Sequence, residues 1–402
     1  MTLDLSQVAN QIEAMAESLK TKGKDRETNL RFALETIHNK ESELDSLKAK
    51  IERSKKTTTW LVAGLRDGLV SRHQPVTCPP DFTVIATDGS HIDVDRHSPP
   101  RCYLINIGNV ILRYGKASEA VLSSKPTLYA SDPDLTIADP LGNGEQSIEG
   151  ALLGIKRAVA ECQALASLAE NLTAQIPVLA LLDGTLVLWG LEAYHDYVKN
   201  ELLDNGFLKA LDKIKGLCQE RRIALASYIS LPRSTEVVNA LRIAVCSDDS
   251  PDCDRLCPRG QHSSGRKCSN LDMIQDRDLF MRLLEQGERS ATFVSPSSVV
   301  QKHYGEHEVC FFYLRVDDEI ARVEFPRWVE EEELVDSVHS LLLDQCHRGQ
   351  GYPVALSESH EQAVLTSTDR QQFKHLIEVA LSEQQLSTIT SAKSMSKRTR
   401  WV

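Results

Sequence analysis

Two apolar runs, each closed by an aspartate and a glycine, constrain this chain more than any other feature. Residues 82–86 read Phe-Thr-Val-Ile-Ala and lead into Thr87-Asp88-Gly89-Ser90. Residues 178–182 read Val-Leu-Ala-Leu-Leu and lead into Asp183-Gly184-Thr185. Runs of this length suit strands buried in a sheet and are too short to be helices of their own. The second run follows Pro177 and a stretch, 147–172, rich in Ala and Leu at helical spacing. A strand reached through a helix returns parallel to the strand it left. Between them, β-type residues at 102–110 and 111–114 predict two strands of an antiparallel meander. A helix over 192–220, strands at Ile223–Ile229, Cys310–Leu314 and Ile320–Glu324, and helices over 331–346 and 369–384 complete the reading. The expected fold is mixed α/β, a central mixed sheet flanked by helices.

Ahead of this domain, Val8, Ile12, Met15 and Leu19, then Leu44, Leu47 and Ile51, recur at helical spacing. They predict an N-terminal helical arm, either a short coiled coil or helices packed on the domain. The expected organisation is a helical region over 1–80 and a second domain over 81–402, with an insertion at 246–270.

Composition narrows the class. A chain of 402 residues with 41% hydrophobic and 26% charged residues can bury a sizeable core. It has no apolar run of the ~18–20 residues that cross a membrane, and residues 1–17 lack the pattern of a secretory signal. Ten cysteines in such a chain are expected to be thiols or metal ligands, and the compartment cytoplasmic. The net charge of −11 argues weakly against a nucleic-acid partner. Local charge opposes it: residues 384–402 carry Lys393, Lys397, Arg398 and Arg400 and no acid.

If the two runs are parallel neighbours, Asp88 and Asp183 lie at one edge of the sheet, where ligands bind in such folds. Clustered carboxylates repel unless a cation compensates, and hard oxygen donors select Mg²⁺ or Mn²⁺. Two such ions can activate water and stabilise the leaving oxygen of a phosphodiester. An Asp-Gly-Ser or Asp-Gly-Thr step is equally a turn in which the aspartate caps its own backbone. Two such steps, each after a buried run, favour the metal. A third acid should come from the intervening helix, as Glu149 or Glu161.

With these residues in place, the chain resembles the NurA nuclease family from about residue 80 onward. The resemblance rests on Ala86-Thr-Asp-Gly-Ser-His91, Arg157-Ala-Val-Ala-Glu161, Ala180-Leu-Leu-Asp-Gly-Thr-Leu186 and Gly351-Tyr-Pro-Val-Ala-Leu-Ser-Glu-Ser-His360. It implies an RNase H-like core, a Mn²⁺- or Mg²⁺-dependent DNA nuclease, a homodimer, and a HerA-type hexameric ATPase as partner in DNA end processing and repair. It implies Asp88, Glu161 and Asp183 as catalytic metal ligands, Glu161 being preferred to Glu149. It adds Tyr352 and His360 as late catalytic residues, the histidine a further ligand or proton-transfer group. Ser357 reads as an N-cap, which would place His360 in a first helical turn, where the dipole disfavours imidazolium. The resemblance does not extend to the first 80 residues or to 246–270. Two other readings compete: a catalytically silent DNA-clamping subunit of a translocase, and an actin-like phosphotransferase, for which no Gly-rich phosphate loop is present.

Within the polar segment 246–270, Cys246, Cys253, Cys257 and Cys268 could hold structural Zn²⁺, with His262 among them. Their spacing is not a paired C-x₂-C arrangement.

Overall fold

The computed structural model describes residues 4–94, 101–173, 176–257 and 266–386. The principal elements, in chain order, are helices α1 (Leu5–Glu41) and α2 (Leu44–Ser54), strands β1 (Phe82–Ile92), β2 (Tyr103–Tyr114) and β3 (Glu119–Tyr129), helix α3 (Ala151–Glu170), strand β4 (Val178–Asp183), helix α4 (Lys209–Arg221), strand β5 (Ile223–Ile229), helix α5 (Glu236–Val245), strands β6 (Val309–Val316) and β7 (Glu319–Pro326), and helices α6 (Val335–Arg348), α7 (Val354–Ala363) and α8 (Ser367–Glu383). Among the described residues no helix is long and apolar enough to cross a membrane.

Contacts divide the chain into two compact units. One takes Met1–Pro75, Ile229–Ser297 and Cys310–Val323. The other takes Val76–Tyr228, Ser298–Val309 and Glu324–Val402. The segments of the first unit share one core. Leu30, Ala33 and Ile37 of α1 and Leu47 and Ile51 of α2 are buried in one cluster with Val237 and Leu241 of α5, Phe280, Phe293, Phe311 and Tyr313. The second half of α1 is thus packed, while Leu5, Ile12, Met15 and Leu19 in its first half are exposed. The buried Asp276 carboxylate accepts from the amides of Val237 and Val238 and from the Tyr313 hydroxyl, satisfying the otherwise orphaned start of α5.

Among the described residues of the second unit, five strands of the main sheet run in the order β5-β4-β1-β2-β3. β1 pairs parallel with β4, and β4 parallel with β5; β1 with β2 and β2 with β3 are antiparallel. The parallel returns are made through α3 and α4, so the mixed α/β fold expected from the sequence is present, with β1 at the centre of these five strands.

Three details differ from the sequence reading. The runs at 102–110 and 111–114 are one strand, β2, and the second strand of the meander is β3, exposed along nearly its whole length and so without apolar alternation. The helix expected over 192–220 runs unbroken from Asp196 to Arg221, with a π-helical stretch (Asn200–Leu208) before α4, and a 3₁₀ turn (Trp189–Ala193) precedes it. Gly206 within that stretch sits against α3, where a Cβ would come 2.7 Å from Val159 Cγ1. Finally, α7 begins at Val354, a turn earlier than a cap at Ser357 would place it.

Candidate active site

β1 does not end at its aspartate. Asp88, Gly89, Ser90 and His91 stay paired with Gly108, Ile107, Asn106 and Ile105 of β2. The parallel pairing with β4 stops at Thr87↔Leu182, and Asp183 is the last residue of β4. Carried one step further, that register sets Asp88 beside Asp183, pointing to the same face. The Asp-Gly step at 88–89 is therefore not a turn, whereas Gly184, at φ +84°, does begin one. Thr185 and the amide of Leu186 then close that turn on the Glu324 carboxylate, at 2.7 and 2.9 Å.

Glycine at 89 serves clearance. A Cβ there would stand 2.5 Å from Glu161 Oε1 and 3.0 Å from Arg157 Cγ, so only glycine lets α3 lower its acid onto the strand. Thr87 fixes the helix at that point, its hydroxyl donating to the Glu161 carbonyl at 2.9 Å. Glu161 is buried among Leu165, Cys162 and Val159 on the face of α3 that meets the sheet. Burial pushes its carboxyl up to about 8; the neighbouring Arg157 opposes this, and Asp88 and Asp183 add to it. Arg157 Nε lies 3.1 Å from Glu161 Oε1 without hydrogen-bond geometry, and that oxygen has no hydrogen-bond partner. Glu149 stands before the start of α3, and the 10 residues from Ala151 to Glu161 span about 15 Å of helix. The structure therefore gathers Glu161, and not Glu149, with the two aspartates.

The remaining two residues arrive from the C-terminal segment. Tyr352 lies in the turn between α6 and α7, where Gln350 and Gly351 both have positive φ. Its hydroxyl donates to Asp183 Oδ1 at 3.0 Å, and its ring meets Tyr228 of β5 edge-on, centroids 5.5 Å apart. Burial first, then the Asp183 charge, pushes the phenol up, so it remains a donor. Burial likewise pushes Asp183 up; the Tyr352 hydroxyl opposes this and Asp88 reinforces it. His360 Nδ1 lies 2.8 Å from Asp88 Oδ2. It occupies the last turn of α7, not the first turn that a cap at Ser357 would give.

What seats α7 over Asp88 is a glycine that sequence reasoning passed over. Gly108, opposite Asp88, lies under the helix; a Cβ there would come 2.2 Å from the Ser359 carbonyl and 2.7 Å from the Ala363 amide. Ser90 and Asn106 donate to the Ala363 carbonyl, Asn106 at 2.9 Å, and so satisfy the open end of α7. A glycine inside an apolar strand is itself a sign of close approach, and that signal was available.

The donors at this edge are carboxylate oxygens and one imidazole, the set that suits Mg²⁺ or Mn²⁺. The mutual repulsion of three acids and the orphaned Glu161 oxygen both fit a divalent cation. As the side chains stand, no three His, Cys, Asp or Glu among the described residues are close enough to hold one. His360 and Tyr352 each engage one carboxylate oxygen, so loading would require these side chains to reorient.

Comparison with known proteins adds one decisive match: a NurA domain model covers residues 82–365. Among curated proteins, no sequence matches the chain. A solved structure of prototype foamy virus protease–reverse transcriptase overlaps at 18% identity and a TM-score of 0.21, covering 40% of this chain and 19% of that one. LC9-RNase H1, a type 1 RNase H with the type 2 active-site motif, overlaps at 9% identity and a TM-score of 0.21, covering 41% and 71%. At those scores neither overlap bears on function.

Proposed function

From the premise that this chain belongs to the NurA family of nucleases, we propose that it is a divalent-metal-dependent deoxyribonuclease acting on DNA ends during repair. The single observation that carries the reading is the convergence of Asp88, Glu161 and Asp183, from β1, α3 and β4, into one electrostatically coupled group. Asp88, Glu161 and Asp183 would hold Mn²⁺ or Mg²⁺, with His360 as a further ligand or proton-transfer group. The ions supply activation of water and stabilisation of the leaving oxygen in phosphodiester hydrolysis.

The chain's own residues do the rest. Tyr352 holds Asp183 by its hydroxyl and stands where it can position the scissile phosphate. His360 orients Asp88 and can move a proton at Nδ1. Glu161 carries a proton at neutral pH in the metal-free protein and must release it to become a ligand. Below about pH 8 protons therefore compete with the metal.

Incubating end-labelled single- and double-stranded DNA with Mn²⁺, Mg²⁺ or EDTA tests this. Cleavage should require the metal and should vanish in Asp88→Asn and Asp183→Asn variants that remain folded. DNA binding without cleavage by the wild-type protein would mean a clamping subunit, and nucleotide binding without DNA cleavage a phosphotransferase. Near-wild-type cleavage by either variant would overturn the site.

In the cell the chain would act as a homodimer in the cytoplasm with a HerA-type ATPase ring. The ring would contact α1 and α2 or the basic residues 391–402, which lie outside the described residues. Co-purification that survives deletion of both 1–56 and 391–402 would refute that contact.

A further inference from the structure

We propose that the first compact unit contains a four-thiolate zinc site formed by Cys246, Cys253, Cys257 and Cys268. The four reach one neighbourhood through short, specific contacts. Cys246 caps α5, and Arg242, one turn earlier on that helix, reaches the Cys268 carbonyl at 3.4 Å, the Leu271 carbonyl at 2.9 Å and the Asp272 carboxylate at 2.8 Å. Residues at i and i+4 share a helix face, so the 3₁₀ turn Lys267–Leu271 that carries Cys268 lies on the side of α5 where Cys246 emerges.

From the other side, α2 and its exit draw in the next stretch. Lys50 donates to the Cys246 carbonyl at 2.7 Å, Arg53 to the Asp249 carbonyl at 3.3 Å, and the Thr57 hydroxyl to the Pro251 carbonyl at 2.6 Å. The Cys253 amide then donates to the Thr57 carbonyl at 2.9 Å. That contact anchors a single helical turn, capped by Asp252, with Cys253 at its start and Cys257 just past its end.

All four are reduced and only half-buried, whereas five of the other six cysteines are fully buried. Four thiolates are the donor set of structural zinc. The thiols are not drawn into ligand contact as they stand. His262 lies outside the described residues and is not needed.

The experiment is elemental analysis of the full chain purified without chelator. The expected content is about one zinc per chain. It should be lost in a Cys253→Ser/Cys257→Ser variant and kept in Cys78→Ser, a half-buried cysteine outside the group. Should the double variant fold poorly, extracting the wild-type metal and reloading with Co²⁺ gives an independent reading. Thiolate-to-cobalt charge-transfer absorption is expected and should disappear on adding zinc. Protein that carries no zinc and gives no such absorption overturns the site, and so does iron with acid-labile sulfide. None of these readouts depends on DNA cleavage, so failure here leaves the nuclease reading standing, and the reverse.

Discussion

Replacing Glu161 with glutamine should stabilise the metal-free protein while destroying its activity. Burial raises this carboxyl from its ordinary 4.5 to about 8. The folded chain therefore holds a proton that the unfolded chain has released, across the whole interval between those values. Stability from this group is fully present below pH 4.5 and is lost as pH rises toward 8, above which the loss levels off. At 1.36 kcal/mol per pH unit, holding the group costs ~1 kcal/mol at pH 5, ~3 at pH 7 and ~5 at pH 9. Glutamine has nearly the same shape beside Gly89 and Arg157 and has no proton to lose, so it escapes the cost. Urea unfolding of wild type and Glu161→Gln in EDTA at the three pH values measures the gap directly. The variant should be more stable by amounts that grow with pH in that sequence. Added Mn²⁺ should close the gap, because only the wild type gains from binding it. A gap that is flat with pH, or a variant less stable at pH 9, would refute the claim that the acid is held against its preference.

Three further outcomes are expected. Gly108→Ala should force α7 off β2, at about 1–3 kcal/mol of stability, and reduce cleavage without altering any acid; thermal melts and cleavage rates check both, and unchanged cleavage would detach α7 from the site. His360→Ala should lower turnover by ~10²–10⁴-fold with DNA affinity nearly unchanged, since phosphate contacts elsewhere supply most binding; partial recovery at high Mn²⁺ identifies a ligand, and none a proton carrier. Tyr352→Phe should remove a charge-assisted hydrogen bond worth ~1.5–3 kcal/mol to Asp183, lowering turnover less than His360→Ala does; a wild-type rate would reduce Tyr352 to packing on Tyr228.

The central strands were legible because burial on both faces forces unbroken apolar runs, and β5 was read to the residue, Ile223–Ile229. β3 was illegible because a strand exposed on both faces carries no pattern, and Lys125-Pro126 reads as a loop. The two aspartates were visible as motifs, but what brings a third acid to them was not. Glu161 looks like any helix glutamate until the clearance at Gly89 and the bond from Thr87 are known. These are contacts between residues more than seventy positions apart, and no local pattern records them. His360 was placed at the wrong end of its helix because Ser357 is a good cap in isolation. The chain starts α7 at Val354 instead, with Pro353 as the cap, where proline's fixed φ suits a helix entry.

The two aspartates of the candidate site are mounted in unlike ways. Asp88 sits inside a strand with ladder partners before and after it, and Asp183 sits at the last step before a turn. One residue inserted upstream of Asp88 within β1 would send it, Ser90 and Ile92 to the opposite face of the sheet, away from His360. A residue inserted after Gly184 would leave both aspartates where they are. Relatives of this chain should therefore keep the spacing from Phe82 to Ile92 rigidly, while the distance from Asp183 to the next element is free to lengthen. Chain length is held constant on one side of this site and can drift on the other.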